Sequence, residues 1–217
     1  MRRSVRKEKL FMGRYLNIGS SFIRRHYIPH LLLTFLFCCI SGFFASFRNL
    51  DASQAAKVME MYVAFTGIFL FTPLFMPEQN KEIWLLEKSK GMDLWKLYLI
   101  RILQAIVLLA IVITIFIQVM KQGNSQFSFE KLWLGSFSEI FFLGSIGFFV
   151  SGITNQVVLG YMISVIYFIS NIGVSKYLGH FALFQMMKGS YDFVVPMSIA
   201  ALILIVGGIA LREKINQ

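Results

Sequence analysis

Acidic side chains are rare in this sequence, and charge of either sign is thin. Asp and Glu number 11 against 21 Lys and Arg in 217 residues, and charged residues make up 15% of the chain. A soluble domain averages nearer a quarter, so a conventional soluble domain of this length is excluded. Apolar side chains take the place of charge: 57% of residues are hydrophobic, 23 of them Phe. That is the composition of a polytopic membrane protein with almost nothing left for a separate soluble domain. The formal charge of +10 does not point to nucleic acid, because Lys and Arg gather at the ends of apolar runs, on one side of the membrane.

Catalytic and cofactor signatures are also missing. There is no GxxxxGK[ST] phosphate loop, no HExxH and no GxSxG elbow in the sequence, which removes the usual nucleotide, zinc-hydrolase and serine-hydrolase readings. His26, His30 and His180 lack metal-ligand spacing. His26 and His30 read as interfacial side chains among arginines. No catalytic residue, metal ligand or cofactor of the chain's own is expected. The two cysteines, Cys38 and Cys39, are adjacent within an apolar run. On a helix they point about 100° apart, so they read as packed free thiols rather than a disulfide. The basic N-terminus leads into an apolar run too long for a cleavable signal peptide.

Residues 1–27 form a basic N-terminal segment. Phe11, Tyr15, Ile18 and Phe22 are spaced 4, 3 and 4 apart, which places them on one face of an amphipathic helix lying in the headgroup layer. The glycines at 13 and 19 leave a disordered basic tail as the other reading. Residues 28–217 form a six-span domain, with apolar runs at about 28–47, 58–76, 97–120, 131–153, 157–172 and 193–211. The fold class is thus all-α and polytopic. Thr154, Asn155 and Gln156 make a tight turn between spans 4 and 5. The 173–192 connection is apolar and aromatic but too short to cross, so short interfacial helices are expected there, either as a packed lid or as the frame of an exit path. With both termini cytoplasmic, 15 Lys and Arg lie inside, and Arg48, Lys57, Lys121, Lys131, Lys176 and Lys188 lie outside. The positive-inside rule selects that orientation for a multi-pass protein of the cell membrane.

The stretch 77–96, PEQNKEIWLLEKSKGMDLWK, is the most charged segment beyond the N-terminus. Pro77 opens a short helix, Glu78 and Glu82 suit its positive end, Lys88 and Lys90 its last turn, and Gly91 stops it. Ile83, Trp84 and Leu86 give it an apolar side. Within the spans, Glu139 lies roughly 12 Å from the outer end at helical rise. An ionisable group at that depth is a functional candidate; the alternative is a protonated or hydrogen-bonded glutamate that holds two helices together. Gly144, Gly147 and Ser151 form a small-residue stripe on another side of the same helix, expected to contact a neighbouring helix closely and to leave Glu139 facing a cavity or a second subunit. Gln104, Asn155 and Asn171 are weaker candidates. Glu60 and Arg101, near span ends, are expected to reach water.

The order of a basic interfacial helix, two spans, a cytoplasmic helix, two spans, a tight inner turn, a span, an amphiphilic outer connection and a last span resembles the membrane subunit of type-2 ABC exporters. PEQNKEIWLLEKSKGMDLWKLYLIR is similar to that family's coupling-helix loop leading into span 3, although Lys90-Gly91 stands where members often have proline. GFFVSGITNQVVLGY is similar to its 4–5 junction. The resemblance implies that Glu78, Lys81, Glu82, Ile83, Trp84, Leu86, Glu87 and Lys88 couple to a separate ABC ATPase, present in two copies and supplied with ATP and Mg. A second membrane subunit, identical or related, would pair through spans 1 and 5. The chain would be a permease without its own nucleotide site, exporting an amphiphilic substrate such as a peptide, antibiotic or lipid-like molecule, with Glu139, Gln104 and Asn171 as substrate-path candidates. A non-transporting membrane adaptor or sensor that binds a cytoplasmic partner through 77–96 is the alternative. A lipid-acting membrane enzyme is weaker, since Glu139 has no histidine near it in sequence.

Overall fold

The computed structural model describes residues 22–44, 47–80, 82, 83, 85, 94–174 and 177–215. Among the described residues the chain is all-helical. A π-helical turn, Ile23–Tyr27, leads into α1 (Ile28–Phe44). A composite run follows: α2 (Ala52–Val58), a π-helical turn (Met59–Val63), α3 (Phe65–Phe71) and a 3-10 turn (Thr72–Phe75). Then come α4 (Leu94–Gln122), α5 (Phe129–Thr154), α6 (Val157–Val174) and α7 (Val194–Ile215). The composite run, α4, α5 and α7 are long and apolar enough to cross a membrane; α1 and α6 are apolar but shorter.

The second run starts earlier than its apolar residues suggest. Asp51 and Gln54 form a reciprocal capping box, with Gln54 N–H donating to Asp51 Oδ1 at 2.7 Å and Asp51 N–H to Gln54 Oε1 at 3.2 Å. That pair satisfies two of the free amides of a helix start, so the helix begins at Ala52 rather than at Val58. At its other end Pro73 has no N–H to donate and the helix tightens to 3-10 geometry. The helix expected to open at Pro77 does not start there. Pro77–Gln79 is a single 3-10 turn, Asn80 is extended, and the Asn80 side chain accepts the Glu82 N–H at 2.9 Å. Asparagine in that role is a helix N-cap, and Glu82, Ile83 and Leu85 beyond it are helical. The tight turn after α5 is as expected: Asn155 adopts the left-handed conformation at φ 56°, the usual way a helix ends on Asn.

Helix α5 runs through the centre of the bundle. Every residue from 138 to 145 is buried, and α3, α4, α6 and α7 all pack on it. Its small-residue stripe makes the close contacts the sequence suggests. A Cβ on Gly67 would collide with the Ile140 carbonyl oxygen, and one on Gly144 would stand 2.6 Å from the Gly67 carbonyl oxygen. Ser151 Oγ donates to the Thr72 carbonyl at 3.1 Å, and the rings of Phe75 and Phe148 lie 4.4 Å apart. In lipid, where apolar side chains gain nothing by leaving one apolar phase for another, such backbone approach holds helices together. The outward faces are apolar as well. Leu99, Leu103, Val107, Ile111 and Ile115 form an exposed stripe along α4, and Val158, Met162, Ile166 and Ile169 another on α6. On a soluble protein such patches would drive association; a bilayer covers them.

Gly67→Ala is expected to lower stability by about 1–3 kcal/mol through overpacking against α5. Gly173→Ala, where nothing lies within 4 Å, should cost nothing. Thermal unfolding of the two variants in detergent checks the contrast.

Candidate functional site

Among the described residues two clusters of polar side chains interrupt the apolar body, near opposite ends of the composite run. The first lies beneath the connection between α6 and α7. That connection contains two short 3-10 turns, Gly179–Phe181 and Met186–Lys188, and side chains of three elements hold it. Asn171 of α6 accepts the Leu183 N–H at 2.8 Å while its own amide donates to the Tyr167 carbonyl at 2.8 Å. The Tyr167 hydroxyl donates to the Phe181 carbonyl at 2.5 Å, and Ser53 Oγ of α2 to the Met187 carbonyl at 2.8 Å. Glu60, in the π-helical turn, accepts the Met186 N–H at 2.6 Å with one oxygen and the Met187 N–H at 3.1 Å with the other. Between these anchors Phe184 takes φ 64°, a left-handed conformation that a bulky side chain seldom adopts without surrounding support.

Glu139 sits at this cluster. It does not face a cavity or a free surface: it is 1% exposed and its carboxyl lies within reach of the Glu60 carboxyl. Glu60 does not reach water either, being 1% exposed. The π-helical turn and the early start of α2 carry it inside, beneath Met186 and Met187. Tyr191 stands beside the pair; burial, and then the Glu60 charge, push its phenol up from the usual value. Of the substrate-path candidates, Glu139 and Asn171 therefore meet under the connection. Gln104 does not join them, since it lies on α4 one turn from Arg101.

The second cluster joins the end of the composite run to the start of α4 and the end of α7. Arg101 Nη1 donates to Glu78 Oε1 at 2.5 Å and to the Leu74 carbonyl at 3.0 Å. Arg212 Nη2 donates to the Glu78 carbonyl at 3.1 Å. Both guanidiniums stack on rings, Arg101 on Phe22 at 4.3 Å and Arg212 on Phe75 at 5.8 Å. Arg101, Arg212 and Glu78 are all buried, which corrects two expectations. Arg101 does not reach water, because Glu78 and Phe22 cover it. Glu78 is not on a partner-facing surface, because Arg101 takes its carboxylate inward. Arg212 is buried because α7 continues to Ile215 and brings the guanidinium back onto Phe75. Phe22, expected on a lipid-facing stripe, is instead buried beneath Arg101. Among the other coupling-loop residues, Glu82 is exposed and Ile83 half-buried. Lys81, Trp84, Leu86, Glu87 and Lys88 lie outside the described residues, as do Phe11, Tyr15 and Ile18.

A third polar contact ties α1 to the body. His30 Nδ1 and the Tyr161 hydroxyl of α6 are 2.9 Å apart, so His30 binds a neighbouring helix rather than standing free at the interface. Sequence reasoning missed Glu60 and Arg212 as site residues. The signal for Glu60 was the D-x-x-Q capping box at 51–54, which moves the helix start back and places Glu60 inside the span. Comparison with protein-family models, curated proteins and solved structures gives no match, so the geometry carries the functional argument.

Removing one member of a buried ion pair strands the other. Glu78→Ala is expected to destabilise the protein by about 3–5 kcal/mol, and the double variant Glu78→Leu with Arg101→Leu by much less. Thermal unfolding of the single and the double variant in one detergent measures this.

Proposed function

We propose that this chain is the membrane subunit of an ATP-driven exporter of the type-2 ABC class, crossing the membrane six times with α1 and α6 as the two shorter spans. The observation that carries the reading is the buried knot around Glu78. It fastens the residues leading into the 80–93 loop to the first turns of α4 and the last turns of α7. A push delivered to that stretch by a cytoplasmic ATPase would move two spans. Glu82 is exposed just beyond the Asn80 cap, where a partner can reach it. The central position of α5 also bears on the mechanism. A helix packed on every side leaves no channel down the axis of one chain, so a transport path would lie between two membrane subunits. Exposed apolar faces on α1 (Leu32, Phe35 and Leu36) and α6 (Val158, Met162 and Ile166) suit pairing through those two helices. Their apolar character suits an amphiphilic cargo, a peptide, antibiotic or lipid-like molecule, moved outward.

The same closed packing favours one other reading, a non-transporting adaptor or sensor that binds a cytoplasmic partner through the 77–96 loop. The two part on the partner. Affinity purification of the tagged chain in a gentle detergent, followed by mass spectrometry and an ATPase assay, should recover a stoichiometric ABC ATPase. Glu82→Ala and Trp84→Ala should each weaken that association about tenfold, as loss of one interface hot spot does, with membrane insertion unchanged. A preparation at native expression that holds no ATPase would select the adaptor.

A further inference from the structure

We propose that Glu60 and Glu139 form a proton-binding site that locks the 177–193 connection onto the helical body. The inference stands on the geometry of this cluster and is independent of the exporter reading. The two carboxyls are buried and within hydrogen-bonding reach of each other. Both Glu139 oxygens lack a hydrogen-bond partner; the Phe184 amide is near but does not meet hydrogen-bonding geometry. An ionised carboxylate only accepts hydrogen bonds. The contact between the two carboxyls is therefore a hydrogen bond only when one proton lies between them. Glu60 is already an acceptor on both oxygens, from the Met186 and Met187 amides, so the geometry assigns the proton to Glu139, whose O–H donates to Glu60.

The other groups facing the pair agree with this assignment. Lys188 and Tyr191 on the connection face Glu60, and Tyr167 of α6 faces Glu139. Lys188 is exposed, and together with the two amides it balances the single negative charge on Glu60. Among the described residues no further cation is placed to balance a second. When the shared proton leaves to water, two carboxylates face each other in an apolar site, and among the described residues no donor is hydrogen-bonded to Glu139. Relief requires water to enter, and the element in its way is the Met186–Lys188 turn. A cleft of about 540 Å³ lies against the outer side of that turn, lined in part by Ser53, Lys131, Met187 and Tyr191, so water stands one turn of chain away from the pair. The π-helical turn at Glu60 is the local irregularity that such sites often use to aim a side chain. Deprotonation thus unlocks the connection, and protonation closes it.

Two measurements on the purified full chain test the proposal. Infrared spectroscopy at neutral pH should show a protonated carboxyl C=O band that shifts in D₂O and is lost in Glu139→Gln. In a background with Cys38→Ala and Cys39→Ala, maleimide labelling of Met187→Cys, normalised to Tyr177→Cys as the exposed control, should rise about tenfold on alkalinisation, the loss of one charge-assisted hydrogen bond. Adding Glu139→Gln, whose amide keeps a donor and cannot titrate, should abolish that rise. If Glu139→Gln does not fold, Glu139→Asp should shift the infrared band and so identify its source. An absent band with pH-independent labelling would overturn the proposal. So would an absent band with labelling that falls as sodium is added, which would make the site one for a metal cation.

Discussion

The approach of α3 to α5 is the contact on which the rest of the structure depends. The two helices run parallel and meet backbone to backbone, with Gly67 under the Ile140 carbonyl and Gly144 against the Gly67 carbonyl. A membrane gives helices little reason to associate through apolar side chains alone, so close approach at small residues has to supply the attraction. Once Gly67 is seated on Ile140, the register of everything along the two helices is set. Toward one end Glu60 comes to lie by Glu139. Toward the other Thr72 meets Ser151 and Phe75 meets Phe148. Helices α6 and α7 then close the remaining sides of α5.

That register explains why charged groups can be buried here at all. An isolated charge in an apolar interior costs several kcal/mol or more. The chain meets the cost differently at its two polar clusters. At the arginine knot it is met by opposite charge and by backbone carbonyls freed where the helix gives way to 3-10 geometry. Leu74 and Glu78, which supply those carbonyls, each directly follow a proline, Pro73 and Pro77, where the regular ladder is already broken. Beneath the connection no arginine is present among the described residues. The Glu60 carboxylate is met by two consecutive amides of the Met186–Lys188 turn. Irregular backbone thus supplies partners that make buried charge tolerable at both clusters, from the end of the composite run at one and from the connection at the other.

Much of the fold was legible in the sequence and much of the site was not, for a physical reason. Apolar runs, the Gly144–Gly147–Ser151 stripe and the tight turn at Thr154–Gln156 are local properties; the stripe and the turn correspond to what the structure shows, and of the six apolar runs four are helices long enough to cross a membrane. The burial of a charge is not local. Glu78 and Lys88 look alike in a charged loop until one knows that Arg101 and Arg212 converge on the first. Arg212 looks like a solvated tail residue until α7 is seen to continue past it. Glu60 was hidden by a boundary error: hydropathy begins the span at Val58, while the capping box of Asp51 and Gln54 begins it at Ala52. Capping chemistry carried information that hydropathy discarded, and a few residues of helix separate a glutamate at the water's edge from one sealed under a loop.

Both polar clusters are built on one continuous stretch of chain. Glu60 and Glu78 are about 27 Å apart at helical rise, joined through the π-helical turn, α3 and the 3-10 turn, with α5 packed alongside. Regular helix is stiff along its axis, and the interruptions fall beside the two clusters rather than between them: the π-helical turn carries Glu60, and the 3-10 turns adjoin Glu78. The segment between, Phe65–Phe71, is the part seated on α5 through Gly67. A displacement of Glu78 with the Arg101 knot therefore acts on a short rod gripped at its middle, and the parts free to yield are the two irregular turns. One of those turns holds Glu60, and Glu60 holds the connection. The placement of irregular backbone at the polar residues, and of regular close-packed helix between them, makes this run the direct physical link between the two ends of the molecule.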